Sequence, residues 1–198
     1  MAVTIEDIKK LKELTGVGLT DAKVALVEAD GDFDKALEAM RKKGLTKAEK
    51  KGDRETREGV IESYVHSNRI GVVVEVNCET DFVARLPEFK EFAHQIAMQI
   101  AAMSPKYPTM EDVPSDVYEE KKAELLASDA LKNKPVDMAE KIVEGQLKKH
   151  FAEQVLAEQQ FVLDDSMTVG DRIKEQIAKS GENIRVSQFK RIELGVTE

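Results

Sequence analysis

A second cysteine is missing from this chain. Cys78 stands alone, so no internal disulfide can form, and the composition fits a reducing cytoplasm better than an oxidising compartment. No eighteen apolar residues run together, and no basic segment followed by an apolar block opens the N-terminus, so neither membrane insertion nor secretion is indicated. A surplus of positive charge is missing too. With 30 Lys and Arg against 38 Asp and Glu, the formal net charge is -8, whereas a binder of phosphate backbones gathers cations; direct nucleic-acid binding is not expected. The local clusters Arg41-Lys42-Lys43 and Lys47 to Lys51 fall at a helix end and in a mixed-charge stretch, and read as solvated surface.

Groups for covalent chemistry are equally sparse. One Cys and the scattered His66, His94 and His150 lack ligand spacing, so no metal site and no cofactor is expected. A thiol nucleophile needs a base at hand; nothing in the spacing brings a histidine to Cys78, although His66, on the neighbouring strand of the same hairpin, could approach it, and a small buried thiol at the strand end is the expected reading. Thr15-Gly16-Val17-Gly18 looks like a phosphate cradle, but a helix rather than a strand precedes it and no further Gly or Lys completes the pattern. It reads as a turn between helices.

What is present is clear helical punctuation. Thr4 and Asp7 have the spacing of a capping box, followed by Ile5, Ile8, Leu11 and Leu14 every three residues as one apolar stripe. Thr20 is placed to cap a second helix with a small-residue face, Ala22, Ala25, Leu26 and Ala29, which Gly31 ends. Asp32 caps a third helix carrying Phe33, Ala36, Leu37 and Met40, stopped by Gly44. The expected organisation is a three-helix domain over residues 1–45, a charged linker over 46–58 and an α+β core over 59–198.

In the core, Val60 to His66 and Ile70 to Asn77 predict two strands joined through Ser67-Asn68-Arg69. Pro87 opens a helix whose Phe89, Phe92, Ala93, Ile96, Ile100 and Met103 face the sheet. Ser115 to Ala127 reads as helix, and Met138, Ile142, Leu147, Phe151 and Val155 outline a longer one. Thr168 and Asp171 repeat the capping pattern for a helix ending near Gly181, and Asn183 to Leu194 predicts a last strand with room for a bulge. Early and late strands with helices between them predict a small antiparallel sheet packed with helices.

The most informative stretch is Asn77-Cys78-Glu79-Thr80-Asp81-Phe82-Val83, where a strand runs into a helix start. Thr80 is suited to cap it and Asp81 is a carboxylate in its first turn; Phe82 either enters the core as an ordinary aromatic or points outward beside that acid, a candidate for insertion into a partner.

This stretch continues as Ala84-Arg85. Together with Lys9-Lys10-Leu11-Lys12-Glu13-Leu14-Thr15-Gly16-Val17-Gly18-Leu19-Thr20-Asp21-Ala22-Lys23, it resembles the motifs of the translation elongation factor Ts family. Similar segments follow through His94 to Ala102, Lys141 to Gly145 and Asp165 to Asp171, in one order over nearly the whole chain. The resemblance implies guanine-nucleotide exchange on elongation factor Tu, a GTPase, without covalent chemistry. It implies that residues 4–44 form a three-helix domain like a ubiquitin-associated domain, docking through Lys12, Val17, Gly18, Leu19 and Thr20. Asp81 and Phe82, with Thr80 and Val83, would then intrude near the partner's magnesium site. Lys12 stands where the family usually has Arg, and Leu19-Thr20 replaces a Met-Met pair. Short members resemble halves of longer ones, which implies a homodimer here. A docking adaptor or chaperone-like module is the alternative.

Overall fold

The computed structural model describes residues 3–15, 17–40, 51–128 and 136–196. Gly16, the helix stop at Gly44, the cluster Arg41-Lys42-Lys43 and the linker up to residue 50 lie outside the described residues.

Helix α1 (Ile5–Thr15) starts under a Thr4 cap, which is half of the anticipated capping box. The Asp7 amide donates to Thr4 Oγ1 at 3.1 Å, and the Thr4 hydroxyl donates to Asp7 Oδ2 at 2.6 Å. Its predicted stripe does not hold. Leu11 is fully buried, but Ile5 is 73% and Leu14 47% exposed. At about 100° per residue, a strict three-residue step drifts around the helix until Ile5 and Leu14 point to opposite sides. Helix α2 (Leu19–Glu28) takes Gly18 as its N-cap, with no side-chain cap. Thr20 therefore sits inside the first turn rather than ahead of it. Asp30 and Gly31, both left-handed at φ 54° and 78°, turn the chain, and residues 33–40 form α3 under an Asp32 cap that receives the Lys35 amide at 3.1 Å. That bond, more than the nearby ammonium, lowers the pKa of the Asp32 carboxyl. Leu11, Ala22, Ala25, Leu26, Ala36 and Met40 close a small core between the three helices.

Strands β1 (Glu58–His66) and β2 (Ile70–Cys78) pair antiparallel through a turn in which Ser67 and Asn68 are both left-handed. The last strand of the chain, β5 (Ile184–Glu193), adds antiparallel to β2, giving the order β1-β2-β5. Beyond the pair Glu75 and Gln188 the register slips so that Val76 faces Val186, and Ser187 is the extra residue of the anticipated bulge. Alternation then decides the faces: Val72, Val74, Val76 and Cys78 point inward, where α5 (Pro87–Met103) covers them with Phe89, Phe92, Ala93, Ile96, Ala97 and Ile100. Met103, expected in this core, is exposed, because it lies in the last turn just before Ser104 ends the helix in a left-handed conformation.

A short helix α4 (Asp81–Ala84) links β2 to α5. Helices α6 (Ser115–Leu126) and α7 (Val136–Ala152) enclose a separate cluster of Val143, Leu147, Phe151 and Val155, with the Tyr118 ring stacked on Phe151 at 5.5 Å. Met138, expected in the same stripe, is exposed near the start of α7. The two-stranded hairpin β3 (Gln160–Phe161) and β4 (Asp164–Thr168) had no counterpart in the pattern reading. The buried Gln99 of α5 holds it, donating to the Gln160 carbonyl at 3.0 Å and accepting from the Val162 amide at 2.8 Å. Helix α8 (Val169–Ser180) begins with the Thr168 and Asp171 capping box and stops at Gly181, φ 79°.

Candidate functional site

The junction after β2 is built from both sides of the sequence. Cys78, the last inward residue of β2, is fully buried, and two residues on Thr80 leaves the strand in extended conformation as the N-cap of α4. Its Oγ1 accepts from the Val83 amide at 3.5 Å. Val83 and Ala84 turn into the main core, so Val83 supports the turn from beneath and presents little surface outward. Phe82 lies on the opposite side and is 79% exposed, the most exposed large apolar side chain among the described residues. Asp81 stays at the surface and pairs with Arg85 one turn on, at 2.8 Å. An exposed phenyl ring that gains nothing from its own fold retains roughly 1.5–3 kcal/mol of burial energy for a partner.

What anchors this turn escaped the reading of the sequence. Glu182, just past the stop of α8, spreads its carboxylate under the junction: Oε2 accepts from the amides of Glu79 at 3.1 Å and Thr80 at 3.0 Å, and Oε1 accepts from the Thr80 hydroxyl at 2.6 Å. The clasp is reciprocal, since Glu79 Oε1 accepts from the Asn183 amide at 2.6 Å. Asn183 is buried and its Nδ2 donates to the carbonyls of Gly52 at 3.1 Å and Arg54 at 2.8 Å, while Lys51 Nζ donates to the Gly181 carbonyl at 2.6 Å. Three chain segments thus meet behind Phe82. No local spacing could have flagged Glu182, because its partners lie over a hundred residues away.

Cys78 is poorly placed to act as a nucleophile. Burial, reinforced by the Glu182 carboxylate, pushes its thiol up to about 11, and the thiol donates to the Thr80 carbonyl at 3.2 Å. Cys78 pairs with Glu58 at one end of the hairpin and His66 with Ile70 at the other, roughly 26 Å away at about 3.3 Å per residue. The approach of His66 to Cys78 is therefore ruled out. His94 instead meets Glu62 at 3.0 Å. Among the described residues no three His, Cys, Asp or Glu side chains gather as a metal site, and no helix is long and apolar enough to cross a membrane.

Two further surfaces stand out. In the three-helix unit, Lys12 on α1 is exposed, as are Gly18, Leu19 and Thr20 at the start of α2, with Val17 half-buried between them. On the sheet face away from α5, Ile61, Val65, Val73 and Ile192 are all exposed; Gly71 lies between Val65 and Ile192 in one row of the ladder, which leaves the patch flat.

The chain has clear relatives among known proteins. Residues 45–196 match the model of the family described as Elongation factor TS. Among curated relatives, the elongation factor Ts of Thermotoga neapolitana is 55% identical over 98% of this chain and 98% of its own length. That of Fervidobacterium nodosum is 52% identical over 98% of this chain and its full length, and that of Carboxydothermus hydrogenoformans is 52% identical over 98% of this chain and 89% of its own.

Proposed function

Because the chain belongs to the elongation factor Ts family, and so to translation elongation, we propose that it acts as a guanine-nucleotide exchange factor for elongation factor Tu, using Phe82 as a wedge. The observation that carries this reading is the 79% exposed Phe82 ring on a turn whose base is pinned to the core. Residues 1–45 serve as the docking unit, through Lys12, Val17, Gly18, Leu19 and Thr20, and residues 59–198 as the core that presents Thr80, Asp81 and Phe82, braced by Val83. Residues 46–58 join the two. The protein performs no covalent step, needs no cofactor or metal of its own, binds neither nucleic acid nor membrane, and works in the cytoplasm.

The physical steps are few. The magnesium of a GTPase bridges phosphate oxygens and tolerates little departure from octahedral geometry, so displacing its supporting elements weakens nucleotide binding steeply. Seating Phe82 supplies roughly one to two decades of affinity for the displaced state. Asp81 adds a carboxylate at that surface once Arg85 releases it. Phe82 alone cannot supply several decades of exchange, so the docking unit and the rest of the core supply the remainder by binding the nucleotide-free partner better than the loaded one. Release of labelled GDP from purified elongation factor Tu tests the reading: an exchange factor accelerates it, whereas an adaptor binds and leaves the rate unchanged.

The exposed Ile61, Val65, Val73 and Ile192, which share the outer sheet face with Ser63, Glu75 and Lys190, support a second proposal, that two copies pair through these faces. Replacing Ile192 by Glu removes apolar burial from that contact and adds the desolvation of a carboxylate. Light scattering should give twice the chain mass for the native protein and the single mass for Ile192→Glu; a native monomer at micromolar concentration would refute pairing.

A further inference from the structure

We propose that Glu182 is a positioning residue for the exchange wedge, holding the Phe82 ring in its inserting orientation through the backbone of Glu79 and Thr80. This inference rests on the exchange reading above. Helix α4 spans only Asp81–Ala84, and a single turn has almost no stability of its own. Where Phe82 points therefore depends on how the chain enters that turn. The pairing of β2 with its neighbours ends at Cys78, so the next two amides, Glu79 and Thr80, have no ladder partner. Glu182 supplies one for both, at 3.1 and 3.0 Å.

The Thr80 hydroxyl carries the coupling. By donating to Glu182 Oε1 at 2.6 Å it turns its lone pairs toward the Val83 amide, so one group both reads the distant carboxylate and caps the helix that bears Phe82. Glu182 is held in turn: its amide donates to Ser180 Oγ at 3.2 Å, the preceding Gly181 is left-handed, and the adjoining Asn183 amide is tied to Glu79 at 2.6 Å. Hydrogen bonds to an ionised acceptor are stronger than neutral ones, and three of them converge here. A ring that must enter a groove in one orientation loses effectiveness when its support loosens, even though no contact with the partner has been removed.

The test compares Glu182→Ala and Glu182→Gln in the full-length protein, alone and combined with Phe82→Ala. For Glu182→Ala, amide hydrogen exchange at Glu79 and Thr80 should accelerate, and GDP release at saturating protein should slow roughly tenfold with a comparable fall in affinity for nucleotide-free GTPase, while affinity for the GDP-loaded GTPase changes less than about threefold. Glu182→Gln, which keeps one acceptor oxygen for the two amides, should fall between Ala and Glu, and it carries the same test should the Ala variant not fold. In the Phe82→Ala background, replacing Glu182 should slow release no further, since the group it positions is already gone. Amides as protected as in the native protein, or a loss that multiplies with that of Phe82→Ala, would overturn the proposal. Full exchange activity in Phe82→Ala alone would overturn the underlying reading together with this one. The amide measurement tells the two failures apart, because it needs no GTPase.

Discussion

Replacing Phe82 with Ala should slow stimulated GDP release by roughly tenfold to a hundredfold and leave the unfolding temperature essentially unchanged. Both halves follow from one number. At 79% exposure the ring contributes almost nothing to the fold, so its whole burial energy is available to a partner. Val83 and Ala84, which do fill the core, are untouched, and the Thr80 cap on the Val83 amide persists. Leu19→Ala should behave in the opposite sense, weakening complex formation several-fold while the saturated release rate stays near native. Stopped-flow release of labelled GDP against protein concentration separates the two, since a docking loss moves the half-saturation point and a wedge loss moves the plateau. Equal effects of both substitutions on both quantities would refute the division of labour.

The second large effect is structural. Phe92→Ala should destabilise the core by about 3–5 kcal/mol, a large share of the 5–15 kcal/mol that a typical domain possesses, and lower the unfolding temperature by roughly 6–20 °C. Phe92 is fully buried between α5 and the sheet, in contact with Phe89, with the Arg172 guanidinium 5.1 Å over its ring. Truncation leaves a cavity that neither sheet nor helix can collapse into, and it removes the aromatic face beneath a half-buried cation whose pKa burial already lowers. Calorimetry gives the answer directly. A shift of less than about 2 °C would mean that α5 repacks, and that the rigid support assumed beneath Phe82 is softer than its burial suggests.

Local chemistry was the part of this molecule most legible in its sequence. The Thr4 cap on Asp7, the capping box of Thr168 with Asp171, the Pro87 helix start and the hairpin around Ser67 and Asn68 depend on residues a few positions apart, and they occur where spacing placed them. Long-range geometry was not legible. The i, i+3 recurrence in α1 reads as one stripe, but the helical angle turns Ile5 and Leu14 to opposite sides and leaves Leu11 alone fully buried. Thr20 has a capping hydroxyl, but the backbone of Gly18 already occupies the cap position. The hairpin β3 and β4 is too short for a period of two to declare itself, and it exists because Gln99, sixty residues earlier, satisfies its backbone. Glu182 was invisible for the same reason: an acid after a glycine is ordinary, and only the fold brings it under Thr80.

The wedge account stands on differential binding: the protein must favour the nucleotide-free partner, and coupling of this kind is reciprocal. Titration calorimetry of this chain against elongation factor Tu, once nucleotide-free and once loaded with GDP and magnesium, measures that difference most directly. The account predicts much tighter binding to the empty GTPase, by the same factor through which the chain weakens GDP. Equal affinity for the two forms would contradict it.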